Sequence, residues 1–272
     1  MSNKLAVSNT WDIVAEGYTS LFSPMFERWA RDSFDRVKLR KDDHVIDIAC
    51  GPGTVSLLLS ELVDRVDSYD FSENMLSILR KSIKDRSISN IRTELCDCQA
   101  LHAEDKTYDV AFSQFGLMFF PDRIRGFAEM YRVLKPHGRA AVYTWAPHHT
   151  SSYNRLIVES LQAGFPELFA QNQRQVNTSV TPFDNSQTMV SEMSAAGFER
   201  VTVEPIKHFF PSTTAEQFWQ GILKGSAFCA DLKASTDPRF WHKKEKMCLE
   251  YLNTHLPGQE LHATALLAIG EK

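Results

Sequence analysis

Asp47 and Asp70 each close a short run of strand-forming residues, and each is followed by a change of local pattern. Asp47 lies in VIDIACGPGTVSLLL, from Val45 to Leu59, just ahead of Gly51 and Gly53. Two glycines at that point let a ligand approach the backbone closely, with the free N–H groups of a following helix aimed at it. A carboxylate beside such a loop disfavours a pyrophosphate and favours a cationic or hydroxyl-bearing ligand. Asp70 ends Val66-Asp67-Ser68-Tyr69-Asp70, about 20 residues beyond the glycines, where an acid can accept from both ribose hydroxyls. Each charge-assisted bond of that kind is worth roughly 1.5–3 kcal/mol.

The elements that must position these acids follow from periodicity. Val45–Ile48 alternates as a buried strand, and VSLLLSELV resumes at helical spacing after the glycine turn, which opens a βαβ unit. Ser72 is a candidate N-cap for a helix on which Met75 points back toward the strand ends. Strands are expected at Ile91–Cys96, Tyr108–Ser113, Arg139–Trp145, Gly197–Pro205 and His262–Ile269, and helices at Asp122–Leu134, 151–170 and 184–197. The stretch Ser212–Gly258 is too long for a hairpin and reads as a helical cap inserted before the last strand. Trp11, Val14 and Tyr18 share one face of an N-terminal helix, prolonged by Phe22, Met25, Phe26 and Trp29. The expected architecture is α/β, a doubly wound, mostly parallel sheet with a cap. It divides into a lid (1–44), a core (45–211 and 259–272) and the cap (212–258).

At Asp47-x-Ala49-x-Gly51-x-Gly53 the chain resembles the first motif of class I S-adenosylmethionine-dependent methyltransferases. Arg132-Val133-Leu134-Lys135-Pro136-x-Gly138 resembles a turn of the ubiquinone and menaquinone biosynthetic C-methyltransferases, with His137 where glycine is commoner. The resemblance implies a seven-stranded, Rossmann-like sheet whose last strand is antiparallel, and S-adenosylmethionine as cofactor. It implies that the loop of Ala49, Gly51 and Gly53 passes beneath the methionine part while Asp47 assists through its ammonium end, that Asp70 meets the ribose, and that Phe71 also contacts the cofactor. Met75 would pack on the adenine, Asp97 would accept from its amino group, and the Cys98 backbone N–H would donate to a ring nitrogen. Ser113, Gln114 and Phe115 would line the channel around the sulfonium. The segment Trp11–Tyr18 resembles one that folds over the cofactor, so that the Tyr18 hydroxyl could reach its carboxylate. Phe115, Met118 and Trp145 are the candidates for contact with the methyl acceptor.

Catalysis of methyl transfer needs alignment and exclusion of water more than a base. Where a proton must leave a carbon or oxygen acceptor, His148, His149, Tyr18 and Glu16 are the candidates. Three other readings compete. A nicotinamide oxidoreductase would want Gly-x-Gly-x-x-Gly, but Thr54, Val55 and Ser56 follow Gly53. A non-catalytic binder of the cofactor or of its demethylated product is compatible with the same motifs. A nucleic-acid methyltransferase is disfavoured by the net charge of −4 and by Ser113-Gln114-Phe115-Gly116 in place of an Asn/Asp-Pro-Pro-Tyr-like run.

The 272 residues suffice for one α/β core and its cap. Five cysteines suggest reduced thiols rather than disulfides, and Cys96-x-Cys98 alone does not make a zinc site. No apolar run approaches about 18 residues and the first ten lack a signal-peptide core, so a cytoplasmic protein with a small-molecule partner and no integral membrane segment is expected. The aromatic cap suggests a flat or apolar acceptor. Monomer and homodimer are left open.

Overall fold

The computed structural model describes residues 4–170 and 185–272. Its centre is a seven-stranded sheet in the order β3-β2-β1-β4-β5-β7-β6. The strands are β1 (His44–Ile48), β2 (Arg65–Asp70), β3 (Ile91–Leu95), β4 (Tyr108–Gln114), β5 (Leu134–Trp145), β6 (Glu199–Phe209) and β7 (His262–Glu271). The first five pair in parallel, and β7 lies antiparallel between β5 and β6. Val45, Ile46 and Ile48 of β1 are fully buried, as a central parallel strand covered on both faces requires. Chain order reverses between β1 and β4, so the crevice outside their carboxyl ends is where this architecture takes ligands.

The helices are α1 (Ser8–Val37), α2 (Thr54–Leu59), α3 (Glu73–Asp85), α4 (Arg123–Val133), α5 (Ser152–Gly164), α6 (Pro166–Ala170), α7 (Ser186–Ala195), α8 (Ala215–Gly225), α9 (Ala227–Ser235) and α10 (Pro238–His255). The lid segment is one helix of 30 residues despite Pro24 in its interior, which removes a rung of the hydrogen-bond ladder. The helix expected after the glycine turn is shorter than its pattern: α2 stops at Leu59, and Asn90 Nδ2 donates to the Ser60 and Val63 carbonyls at 2.9 and 3.0 Å. The helix expected from 184 begins at Ser186, and residue 184 lies outside the described residues.

Two strands run further than their sequence pattern. β5 starts at Leu134, which pairs with Tyr108 before the chain loops out through Pro136 and His137 (φ 64°) and rejoins β4 at Arg139. β6 continues past Pro205 to Phe209, because it is the edge strand and the proline's missing N–H costs no ladder bond there. The inserted helices α8–α10 do not form a cap alone. Leu156 and Leu161 of α5, with Phe165 at its C-terminal cap, complete their apolar core around Trp219 and Trp241, apart from the core of the sheet.

Candidate functional site

β1, β2, the turn after β3 and the end of β4 each bring one polar side chain to the carboxyl edge. Asp47 and Asp70 are 1% and 5% exposed, while Asp97 sits at the rim. The glycine turn holds its shape through backbone bonds from Cys50 N to Tyr69 O (2.9 Å) and from Gly53 N to Cys50 O (3.0 Å). Gly51 (φ 55°) and Gly53 (φ 87°) both adopt the left-handed conformation that the turn needs. A Cβ on Gly53 would stand 2.3 Å from Leu79, so this glycine also lets α3 close on the turn.

Each acid is held by donors that leave part of it for a ligand. Asp70 Oδ2 accepts from Gly51 N at 2.7 Å and Oδ1 from Ser72 N at 2.8 Å. Asp47 Oδ2 accepts from Ser56 N at 3.1 Å and from its hydroxyl at 2.5 Å. Burial pushes the Asp47 carboxyl up to about 7, with a further push from Asp70. Burial likewise raises Asp70 to about 6, against the pull of the Ser72 and Gly51 amides. Cys98 is buried beside them and stays a thiol, because burial first and Asp70 second raise it. Asp97 Oδ1 accepts from Gln99 N at 2.9 Å, which keeps the carboxylate at the turn's outer edge.

These groups surround a cleft of roughly 1020 Å³, counting its open mouth. Ala49, Gly51, Phe71 and Met75 line it together with Asp47, Asp70, Asp97 and Cys98. Tyr18 and Gln114 close it from the lid and from β4. Three aspartates reach this cleft, and among the described residues lining it there is no lysine, arginine or histidine. Gln114 Nε2 donates to Phe26 O at 2.8 Å, while its buried Oε1 has no partner among the described residues. Of the other residues expected here, Gly53 and Ser113 stand behind the wall; Ser113 Oγ accepts from Leu117 N at 3.1 Å.

A second cleft of roughly 910 Å³ adjoins the first and shares with it Leu5, Trp11, Tyr18, Phe26, Phe115 and Phe119. Trp145 lines it, stacked on Phe115 with ring centroids 4.3 Å apart. Phe115 has φ 58° and Ala49 φ 57°, a left-handed backbone on both sides of the β1–β4 crevice, unusual for a bulky residue. Met118 lines neither cleft: it is buried, and its sulfur accepts from the Thr144 hydroxyl at 3.3 Å.

His148 and His149 differ from expectation in place. Both are exposed on a short turn after β5 and line neither cleft; that turn leads into α5, whose start is bonded to His262 of β7. Glu16 is also exposed and outside both clefts. Tyr18 reaches both, but burial, and then Asp70, raise its phenol far above its ordinary value, which disfavours the ionised form that a base requires.

Two residues escaped sequence reasoning. Asp12 of α1 accepts at Oδ1 from Ser72 Oγ (2.6 Å) and Asn74 N (3.2 Å), tying the lid to the first turn of α3. Asn154 lines the second cleft from α5. The N-cap preference of Ser72 was visible in sequence, and Ser72 Oγ does accept from Met75 N at 3.2 Å; its second bond, across 60 residues, was not.

Residues 3–208 match the ubiE/COQ5 methyltransferase family. The chain belongs to that family. It is 28% identical over 186 residues to the demethylmenaquinone methyltransferase of Alkalihalophilus pseudofirmus, covering 65% of this chain and 79% of that one. The fold is shared with the YcgJ protein of Bacillus subtilis (TM-score 0.59, 17% identity, 90% of this chain and 98% of that one). It is also shared with phosphoethanolamine N-methyltransferase 2 of Haemonchus contortus in complex with S-adenosyl-L-methionine (TM-score 0.58, 16% identity, 96% of this chain and 57% of that one). This methyltransferase uses S-adenosylmethionine and acts on a small molecule. The first cleft suits that donor: its three acids, with no lysine, arginine or histidine among the described residues lining it, match a cationic, hydroxyl-bearing ligand, and Gln114 Oε1, without a partner among the described residues, offers an acceptor to ligand N–H or O–H groups. No helix among the described residues is long and apolar enough to cross a membrane.

Proposed function

We propose that this methyltransferase holds S-adenosylmethionine in the first cleft and carries the methyl group to a flat, largely apolar ring, of the quinol kind, in the second. The wall shared by the two clefts carries the reading, for a group leaving one ligand meets the other across Tyr18, Phe26 and Phe115. The aromatic lining and the relative named demethylmenaquinone methyltransferase support the ring.

In this reading Asp70 accepts from the ribose hydroxyls, Asp97 and Cys98 serve the adenine edge, and Met75 and Phe71 flank it. Asp47 faces the ammonium end and Gly51 leaves room for the chain between. S-adenosylmethionine, when bound, supplies an already electrophilic methyl group. The protein then has to align and to exclude water. Alignment alone is worth roughly 7–11 kcal/mol of barrier. Water is kept out by α1, whose Trp11 packs on Phe119 with centroids 5.1 Å apart and whose Phe26 packs on Phe115 at 4.9 Å. With both histidines outside the clefts, the proton lost by a carbon or oxygen acceptor leaves without a dedicated histidine base.

The test is incubation with S-adenosylmethionine and a panel of reduced quinones and naphthols, read by mass spectrometry. Formation of S-adenosylhomocysteine together with a product 14 mass units heavier is expected. Cofactor binding without any methylated product across the panel would instead favour a binder that transfers nothing.

A further inference from the structure

One fully buried side-chain polar atom on the second cleft has no partner among the described residues. Asn154 is 3% exposed and lines the cleft, and its Nδ2 has no hydrogen-bond partner among the described residues. Its neighbours on that wall, Ile157, Val158, Leu161 and Phe228, are apolar. Leucine would fill similar space on this helix and remove an orphaned donor, so the asparagine burdens the fold unless something pairs with it.

Nor does the side chain sit there through local slack. Ser151 caps α5 by accepting from Asn154 N at 3.3 Å, and Ser151 Oγ donates to His262 O at 3.1 Å. Ser152 Oγ donates to Glu260 O at 2.9 Å and accepts from His262 N at 2.8 Å. The first turn of α5 is therefore fastened to β7, and Asn154 is held at a set depth.

We propose that Asn154 is a specificity-determining residue whose Nδ2, buried as it stands, reaches the cleft by rotation of the side-chain amide and donates to an oxygen, hydroxyl or carbonyl, carried on the ring of the methyl acceptor. This rests on the reading of the second cleft as the acceptor site. The donor selects among flat apolar molecules: a ring with an oxygen satisfies the amide, and a bare ring of the same shape leaves it unpaired in a site that water no longer reaches.

The probes are 1-naphthol and naphthalene, titrated against the whole chain saturated with S-adenosylhomocysteine, with the fluorescence of Trp11 and Trp145 as readout. The native protein is expected to bind 1-naphthol at least tenfold more tightly than naphthalene. Asn154→Leu should remove that difference, leave S-adenosylhomocysteine affinity unchanged and raise the melting temperature. Asn154→Ala, which adds no bulk, should remove it too, and decides the matter if the leucine does not pack. Discrimination retained in a folded variant overturns the role of Asn154 while leaving the acceptor cleft standing. Failure of the native protein to bind either ring, with S-adenosylhomocysteine still bound, overturns the cleft assignment and the proposal with it.

Discussion

Asp67 and Asp70 lie three residues apart on β2 and are both buried, yet their surroundings drive them in opposite directions. Asp67 accepts from Tyr108 Oη at 3.0 Å and faces His44 Nε2 at 3.0 Å and Arg65 at 3.1 Å. Burial works against its charge, but His44, Arg65 and Tyr108 outweigh it and hold the carboxyl below the ordinary range. Asp70 faces backbone amides, a neighbouring Asp12 and the cleft, with no ion-pair partner among the described residues, and ends up raised to about 6. A buried acid with its cations in place belongs to the fold. One without them carries an uncompensated desolvation cost, and in our proposal it is the ribose hydroxyls of the cofactor that meet it.

Exchanging the two acids for neutral residues should separate these roles. Asp70→Ala is expected to weaken S-adenosylmethionine binding by more than tenfold in isothermal titration while leaving the thermal midpoint unchanged or higher. Unchanged affinity would remove the ribose assignment. Asp67→Ala should do the reverse, costing about 2–3 kcal/mol by stranding His44, Arg65 and Tyr108. In a chain of this size that lowers the midpoint by about 4–10 °C, with cofactor affinity intact.

The same contrast gives a pH dependence of opposite signs. Asp47 and Asp70, raised to about 7 and about 6, hold protons that the unfolded chain has already lost, so the ligand-free protein loses stability as pH rises from about 4 to about 7. Asp67, lowered, contributes stability that is present above its unfolded value and lost as pH falls below about 4. Because the cofactor's ammonium favours an ionised Asp47 and its ribose hydroxyls an ionised Asp70, cofactor affinity should rise several-fold between pH 5.5 and pH 7.5. Titration at constant ionic strength checks this, and a flat profile would mean the acids do not face the cofactor.

Smaller effects belong to the lid. α1 crosses α8 at Gly17, where a Cβ would stand 2.1 Å from Lys224 O, so Gly17→Ala should push the lid outward. A few-fold loss of turnover and a midpoint lower by a few degrees are expected, read by initial rates and a melting curve. Asp12→Ala releases the tie to Ser72 and Asn74 and should speed cofactor dissociation two- to fivefold in stopped flow, the least of these changes.

The local order of residues determined the greater part of this protein: alternation wrote the strands, the glycine pair wrote the turn, and Asp47, Asp70 and Asp97 fell at strand ends because side-chain period and turn chemistry are short-range properties. Parallel neighbours in the order β3-β2-β1-β4 then had to line those acids up along one edge. Convergence across long separations was beyond that reading. Asp12 meets Ser72, Asn154 and Trp145 come to line one cleft, Met118 turns into the core, and His148 and His149 turn away, only once the sheet order and the crossing of α1 over α8 are set. A buried amide without a partner cannot be recognised in a sequence at all. Its significance comes from what the rest of the fold fails to place beside it.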